Sequence, residues 1–182
     1  MPRAILIGAP GSGKSTVGRA LARELGVTFV DTDARIVEQE HRSIPEIFAH
    51  DGESEFRAIE RDVVLSTLTS EAGVISLGGG AVLDGDVQKA LKETVADVIY
   101  LDVGLSNVLV RIGNRNDRPL LATNAEQQWL ELMAVRGPIY KELANIHSED
   151  RLQELANIHI STNNKTSGRS RCRTDTSHGN NA

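Results

Sequence analysis

The sequence predicts a single α/β domain built on a parallel sheet. Short, wholly apolar segments bounded by glycine or acidic residues are typical of strands that are covered on both faces, as in a parallel sheet. Longer segments between them carry apolar residues at helical spacing. Strand and helix signals alternate along the chain, which is the pattern of βαβ units. A chain of 182 residues is long enough for one such domain.

The first elements follow directly from this pattern. Residues 4–7 form an apolar run and predict the first strand. Apolar residues at helical spacing predict a helix over residues 14–25, and Gly26 stands where a helix end favours glycine. Residues 27–31 predict the second strand. Ser43 opens a capping box with proline in the first turn, so a short helix should begin there.

The alternation continues through the middle of the chain. A longer helix is predicted to place Phe56, Ile59 and Val63 on one face. Residues 74–77 predict a third buried strand and residues 98–103 a fourth. An amphipathic segment between these two strands predicts another helix.

The last third of the sequence is less regular. A helix from about residue 125 to 135 should bend or break at residues 137–138, because proline cannot donate a helical hydrogen bond. The hexapeptide ELANIH occurs at residues 142–147 and again at 154–159. Two copies at this short spacing do not make a repeat architecture. We expect the first copy to prolong the preceding helix and the second to form the last strand.

Composition and charge exclude several classes of function. Aromatic residues make up only 3% of the chain, too few for a base-stacking surface. Residues 161–182 carry a net charge of +3, so the remainder carries −8 of a total of −5. An acidic body does not favour nucleic acid or an anionic membrane as a partner. We therefore expect a domain over residues 1–162 and a solvated, disordered tail over 163–182.

The same numbers indicate a compartment. The single cysteine, Cys172, cannot form an internal disulfide, which suits a reducing environment. No stretch is apolar for long enough to span a bilayer. The sequence therefore predicts a cytoplasmic protein.

The strongest functional signal is the stretch GAPGSGKST at residues 8–16, which satisfies G-x-x-x-x-G-K-[ST] between a predicted strand and a predicted helix. Its glycines allow backbone N–H groups to approach phosphate oxygens, and the helix points its positive end at the same anion. Lys14 can reach the β- and γ-phosphates, and the Ser15 hydroxyl can ligate Mg²⁺. A tight turn alone would explain the glycines but not the lysine. The loop predicts ATP or GTP binding by Gly11, Ser12, Gly13, Lys14, Ser15 and Thr16.

Further candidate residues follow the other strands, at the edge where doubly wound sheets bind ligands. Asp31 and Asp33 can face two different ligands if the chain between them stays extended, or they can cap the next helix. The three glycines at residues 78–80 either leave room for a ligand against bare backbone or only end a strand. Arg57, on the helix that packs nearby, is another candidate for ligand binding. It lies three residues before Glu60, and this spacing fits a surface ion pair equally well.

The segment RNDRPLL, residues 115–121, has two interpretations. It is either an exposed loop whose apolar end docks on the core, or a mobile lid that brings Arg118 onto the phosphates. A lid would exclude water, which otherwise competes for the γ-phosphoryl group.

Together these motifs resemble the shikimate kinase family. The resemblance rests on GAPGSGKST, DTD, SIPEIFAHDGESEFRAIE, LGGGAV, RNDRPLL and MAVRGPIY, and it spans about residues 2–144. It implies a P-loop kinase three-layer sandwich, with a central five-stranded parallel sheet, helices on both faces and a mobile lid. It also implies transfer of the γ-phosphate of ATP to the 3-hydroxyl of shikimate, with Mg²⁺, in aromatic amino acid biosynthesis. The expected partners are these two small molecules, with no nucleic acid or membrane, and the expected state is a monomer.

The resemblance also implies roles on the acceptor side. Asp33 would accept a hydrogen bond from the reacting hydroxyl and serve as its base. Arg57 and Arg136 would grip the shikimate carboxylate, as bidentate arginines do. Gly78, Gly79 and Gly80 would line the ring, with Gly79 as the direct contact.

On the ATP side, the resemblance makes Lys14 and the lid residue Arg118 catalytic, since both would neutralise charge on the phosphates. Asp31 would hold Mg²⁺ through water beside Ser15. Arg111 would pack on the adenine.

Some features depart from the family pattern and leave alternatives open. The family usually ends in a helix packed after its last strand, but the tail here has no apolar face, and Lys165 is a weak candidate for an adenine contact. A different small-molecule P-loop kinase, acting on gluconate or a nucleotide, is one alternative. The other is a nucleotide-binding protein that has lost catalysis.

Overall fold

The structure of the protein is a computed structural model that describes residues 1–103 and 122–148. Its centre is a five-stranded sheet in which every pairing is parallel, in the order β2-β3-β1-β4-β5. The strands are β1 (Ala4–Ile7), β2 (Phe29–Asp31), β3 (Val74–Ser76), β4 (Asp97–Leu101) and β5 (Ile146–Ser148). This confirms the predicted α/β fold with a five-stranded parallel sheet.

The helices of the described residues lie between and after these strands. They are α1 (Lys14–Leu25), α2 (Thr32–Glu40), α3 (Ile44–His50), α4 (Gly52–Ser70), α5 (Gly85–Glu93) and α6 (Ala122–Leu143), with a 3-10 turn at Ala81–Leu83. The bounds of α1 are as predicted, and Gly26 ends it in the left-handed conformation with φ of 65°. The capping box of α3 is also confirmed, because the Glu46 carboxylate accepts from the Ser43 N–H at 2.7 Å.

Helices cover both faces of the sheet, so the architecture is three-layered. Alternate residues of β1 face opposite sides, as strand geometry requires. Ile5 and Ile7 pack in a core with residues of α4, α5 and α6. Ala4 and Leu6 pack in a second core with residues of α1. A smaller apolar cluster joins α2, α3 and α4.

The segment between Asp31 and Asp33 is not extended, in contrast to one of the two predicted alternatives. Helix α2 begins at Thr32, and Asp31 is its N-cap. The Asp31 carboxylate accepts a hydrogen bond from the Asp33 N–H at 3.1 Å, which satisfies a donor that the helix leaves free at its first turn. The strand before it is also two residues shorter than predicted.

Helix α6 does not break at Pro138, so this one of the two predicted outcomes, a bend or a break, was wrong. The helix runs through the proline to Leu143. The missing hydrogen bond is offset by packing, because Tyr140 is fully buried and Leu143 is 6% exposed in the core beside β4. Tertiary contacts therefore override the local signal.

Strand β5 begins within the first ELANIH copy, of which only Glu142 and Leu143 prolong α6, so the prediction for this copy was wrong in part. Asn145, just before β5, makes two hydrogen bonds to Val98 of β4. The Asn145 N–H donates to the Val98 carbonyl at 3.0 Å, and the Asn145 side chain accepts from the Val98 N–H at 2.9 Å. Ile146 then pairs with Ile99. Strand β5 therefore begins ten residues after Arg136.

Several predictions concern parts of the chain outside the described residues. These are the lid at 115–121, the second ELANIH copy at 154–159 and the tail at 163–182. Among the residues that the structure does describe, no helix is both long and apolar enough to cross a bilayer.

Candidate active site

The loop between β1 and α1 curls around the N-terminus of α1. Gly8, Gly11 and Gly13 have positive φ angles of 145°, 80° and 90°. An added Cβ on Gly8 would also lie 2.9 Å from the Leu101 carbonyl oxygen, so both conformation and space require glycine there. The loop therefore takes the form that brings backbone N–H groups toward one point.

Lys14 fills the concave side of this loop. Its ammonium group is buried and donates to the carbonyls of Gly8 at 2.8 Å and Ala9 at 3.0 Å. Burial lowers the pKa of Lys14 to about 8, although the negative charges of Asp33 and Asp31 act in the opposite direction. Lys14 is therefore a desolvated cation within reach of two carboxylates.

Ser15 and Asp31 form the oxygen-rich part of the site. The Ser15 hydroxyl donates to the Asp31 carboxylate at 2.6 Å, which joins the start of α1 to the end of β2. Hard oxygen donors of this kind suit Mg²⁺, which keeps several waters and takes its other ligands from substrate phosphates. Among residues 1–103 and 122–148 there is no group of three His, Cys, Asp or Glu side chains that could hold a metal by themselves. The residues present fit a magnesium ion that arrives with a nucleotide.

The glycines after β3 lie directly against charged side chains of α2 and α4. A Cβ added to Gly78 would collide with the Asp33 carboxylate and lie 2.6 Å from Glu60 Oε1. One added to Gly80 would collide with the Arg57 guanidinium. This observation favours the first of the two interpretations, close approach to bare backbone, because a side chain here would collide with these charged groups.

Arg57 and Glu60 form an ion pair, but it is not a surface pair. Arg57 Nη1 lies 2.5 Å from Glu60 Oε2, and the Glu60 side chain is only 4% exposed. A second carboxylate, Glu53, lies 3.3 Å from the same guanidinium and is largely exposed. Two carboxylates therefore orient Arg57 at the rim of the site.

The charges of the residues predicted to bind phosphate affect the pKa of Asp33, which is predicted to contact the acceptor. Burial raises the pKa of Asp33, and the nearby charge of Asp31 raises it further, while Lys14 and Arg57 oppose the change. A buried carboxylate with a raised pKa is a stronger base than an exposed one.

Arg136 of α6 faces the same region. Its charge lowers the pKa of Lys14 and opposes the burial that raises the pKa of Glu60. The structure thus brings Lys14, Asp33, Arg57 and Arg136 together, although they come from four separate elements. The predicted Arg111, Arg118 and Lys165 lie outside the described residues.

Three residues that sequence reasoning missed complete the acceptor side. Thr32 is fully buried and accepts a hydrogen bond from the Gly78 N–H at 3.0 Å. Tyr140 donates to the Gly79 carbonyl at 2.5 Å. Pro10 of the first loop packs against Gly79, where an added Cβ would lie 2.8 Å from its Cδ. Of these three, only Tyr140 could have been found from the sequence, because it lies four residues after Arg136. The predicted helix break between them argued against placing both residues on one helix face.

The fold and this site define a P-loop phosphotransferase of small substrates: a phosphate loop lies beside a half-buried carboxylate and two arginines, at the carboxyl edge of a parallel sheet. A sequence model described as shikimate kinase matches residues 10–164. The chain belongs to the shikimate kinase family, and its activity is the ATP-dependent phosphorylation of shikimate.

Individual relatives agree with this placement. The shikimate kinase of Mycobacterium avium is 49% identical over 80% of this chain and 82% of its own length. That of Mycobacterium tuberculosis is 47% identical over the same shares. The structure of shikimate kinase from Acinetobacter baumannii in complex with shikimate has a TM-score of 0.79 and 33% identity, covering 93% of this chain and 96% of that one.

The comparison with gluconokinase is weaker. The enzyme from Sinorhizobium meliloti has a TM-score of 0.57 at 18% identity, over 92% of this chain and 98% of that one. This likeness shows the shared fold alone. Family membership therefore decides between the alternative kinases that the sequence left open, and it sets aside a protein without catalysis.

Proposed function

We propose that the chemistry is carried by Asp33 and Lys14, with the acceptor held between them by two arginines. The observation that supports this is the position of the half-buried Asp33 carboxylate, which lies against Gly78 and within the electrostatic influence of both Lys14 and Arg57. Phosphoryl transfer needs positioning and charge neutralisation more than covalent chemistry. The proposed roles follow from these needs.

On the acceptor side, Arg57 and Arg136 bind the carboxylate of shikimate. Asp33 accepts the hydrogen bond of the 3-hydroxyl and takes its proton as the oxygen attacks the γ-phosphorus. The bond from that phosphorus to the bridging oxygen of ADP then breaks, and ADP leaves. Gly79 lies beside the ring, where the absence of a side chain lets Pro10 pack closely against it.

On the phosphate side, the Lys14 ammonium exchanges the carbonyls of Gly8 and Ala9 for the β- and γ-phosphate oxygens. Ser15 and Asp31 would hold Mg²⁺, Asp31 through water. The ion, when bound, neutralises charge on the phosphate oxygens. Arg118 and Arg111 are proposed for the lid and the adenine on the family resemblance.

We propose further that the protein acts as a cytoplasmic monomer. One chain supplies every proposed acceptor group, and ATP is the co-substrate of its family. Sedimentation at assay concentration tests the oligomeric state.

The experiment that tests the proposed roles measures ADP release with shikimate, gluconate and nucleoside monophosphates as acceptors, for the native chain and for Asp33→Asn. We expect release with shikimate alone, and a large loss of kcat in the variant while ATP binding is kept. Undiminished turnover by Asp33→Asn would refute the role of this carboxylate.

A further inference from the structure

The Tyr140 hydroxyl lies beside two groups that the proposed function gives to the acceptor. It donates to the Gly79 carbonyl at 2.5 Å. The Arg136 guanidinium acts on the same hydroxyl, because it opposes the burial that raises the pKa of Tyr140. Because α6 continues through Pro138, Arg136 and Tyr140 are one helical turn apart and share a face. The hydroxyl therefore holds the glycine segment on one side and neighbours a proposed carboxylate-binding arginine on the other.

The other side of the same glycine segment is held by Thr32. Its hydroxyl oxygen accepts from the Gly78 N–H at 3.0 Å, and both residues are buried. Thr32 directly precedes Asp33 in the first turn of α2. The Gly78–Gly79 backbone is thus fixed by one hydroxyl from α2 and one from α6.

Glycine needs such external fixation more than any other residue. Its backbone has the greatest conformational freedom, and it has no Cβ with which to pack. A side chain cannot replace the hydrogen bonds here, because a Cβ on Gly79 would lie 2.8 Å from Pro10 Cδ. The following turn holds the carbonyls of Gly78 and Gly80, which accept from the N–H groups of Ala81 and Leu83. Hydrogen bonds with neighbouring hydroxyls hold the Gly78 N–H and the Gly79 carbonyl.

We propose that Tyr140 and Thr32 are positioning residues for the acceptor: they hold Gly78–Gly79, and through Tyr140 the Arg136 guanidinium, in the arrangement that binds it. This inference rests on the proposed roles of Arg136 and Gly79. The partners of the two hydroxyls are Gly78 and Gly79, and neither hydroxyl is among the groups proposed to bind the phosphates. Their removal therefore weakens acceptor binding and leaves ATP binding as it is.

The ring of Tyr140 and its hydroxyl have separable tasks. The ring is fully buried and stacks on Tyr100 with centroids 5.3 Å apart, so it serves the core. Burial raises the pKa of Tyr140 to about 12, so the phenol remains a hydrogen-bond donor throughout the range of an enzyme assay. Tyr140→Phe therefore removes the positioning function and keeps the packing.

The test measures kcat, KM for each substrate and the affinity for shikimate by calorimetry, for Tyr140→Phe and Thr32→Val. For Tyr140→Phe we expect KM and Kd for shikimate to rise about five- to thirty-fold, as for a lost hydrogen bond whose partners stay buried. We expect kcat and KM for ATP to stay within about two-fold. Thr32→Val should act in the same direction, and Thr32→Ser, which keeps the hydroxyl, should reverse most of the effect.

The matched control is Tyr100→Phe. It removes the hydroxyl of the stacked neighbour, which donates to Asp102 at 3.0 Å, and leaves the glycine segment untouched. We expect its KM for shikimate to equal that of the native chain even if its melting temperature falls.

Two outcomes would overturn the inference. One is a lower melting temperature in Tyr140→Phe and Thr32→Val with unchanged KM and Kd for shikimate, which is the result of a purely structural role. The other is an equal rise of KM for ATP and for shikimate. If variants at Asp33 and Arg136 bind and phosphorylate shikimate as well as the native chain does, the proposed roles are contradicted instead. The two failures are therefore distinguishable.

Discussion

Replacing Arg57 by methionine leaves the Glu60 carboxylate without the guanidinium that now lies 2.5 Å from it. Methionine keeps much of the length and apolar area of the arginine stem, so the main loss is the charge. Glu60 is 4% exposed and cannot turn to water without moving α4. The variant should therefore be less stable than the native chain as well as impaired in shikimate binding.

The size of this destabilisation has an upper limit that follows from the carboxyl group itself. Removing one partner of a buried ion pair commonly costs about 3–5 kcal/mol. Glu60 can avoid part of that cost by taking up a proton. Its ordinary pKa is 4.5, so protonation at pH 7 costs about 3.4 kcal/mol. The free energy of unfolding should fall by no more than this amount, and the nearby charge of Arg136 reduces the loss further.

The same reasoning gives a pH dependence with a definite sign. Without Arg57, burial raises the folded-state pKa of Glu60 still further above its unfolded value. The native state then binds more protons than the unfolded state, so the stability of the variant falls as the pH rises from 4.5 toward the folded pKa. At pH 5 the largest possible penalty is only about 0.7 kcal/mol. The difference between native chain and variant should shrink accordingly between pH 7 and pH 5.

Urea denaturation at both pH values measures this difference, and the double variant Arg57→Met/Glu60→Leu separates stability from function. At pH 7 the midpoint of the single variant should fall by about 1–1.5 M, given a usual urea slope for a chain of this size. The double variant should regain stability, because no unpaired charge remains buried. It should not regain shikimate affinity, because that requires the guanidinium.

A matched control lies on the same helix. Arg61 pairs with Asp62 at 2.9 Å on the exposed side, so Arg61→Met should leave the midpoint unchanged. Equal destabilisation of Arg57→Met at pH 5 and pH 7 would refute the reasoning, since the penalty would then not come from the Glu60 charge.

Three further predictions concern the phosphate loop, the base and the last strand. Asp33→Asn should lower kcat by about 10²–10⁴-fold with little change in KM for ATP, as measured by coupled ADP release. Burial lowers the pKa of Lys14 to about 8, and bound phosphate should restore its charge. Above pH 8, ATP binding should therefore take up a proton, and the affinity for ATP should fall about ten-fold per pH unit. Equal affinity at pH 7 and pH 9, measured by calorimetry, would contradict this. Asn145→Ala should destabilise the chain by about 1–2 kcal/mol because the Val98 N–H loses its acceptor. The control is Asn157→Ala in the second hexapeptide. Greater destabilisation by Asn157→Ala than by Asn145→Ala, measured by urea denaturation, would contradict this prediction.

Local signals were enough for the elements next to the phosphate loop. The apolar run at residues 4–7 and the glycines around it need no distant contact to be interpreted. Helix α1 has a glycine at each end, and its predicted bounds agree with the structure. Because the sheet is parallel, the sequence also predicted which edge would carry the site.

The choice between the two hexapeptides could not be made from local sequence, because ELANIH is the same in both copies. What distinguishes them is their distance from the end of α6. Leu143 is buried at the end of that helix, and two residues later the chain already bonds to Val98 of β4. The first copy is therefore placed beside β4 by the helix before it, which is a tertiary cause.

The burial of Glu60 and the contact of Tyr140 with Gly79 could not be predicted from the sequence for another reason. An Arg and a Glu three residues apart look the same in sequence whether their helix face meets water or another element. Tyr140 likewise follows a Gly-Pro pair that predicts a helix end. In both cases the decisive fact is what packs against the helix: the glycine segment after β3 lies against Glu60 and Tyr140 at once.

This glycine segment explains why the acceptor side was harder to predict than the phosphate side. The phosphate loop is one continuous stretch, so its spacing alone identifies it. The acceptor side takes Asp33 from α2, Arg57 from α4 and Arg136 from α6, and none of these residues has a distinctive local pattern. Asp33 and Arg57 come together because each lies against Gly78–Gly80, where any larger residue would push them away. Arg136 is on the same helix as Tyr140, which bonds to Gly79. A site built around bare backbone therefore becomes visible only when the neighbours of that backbone are known.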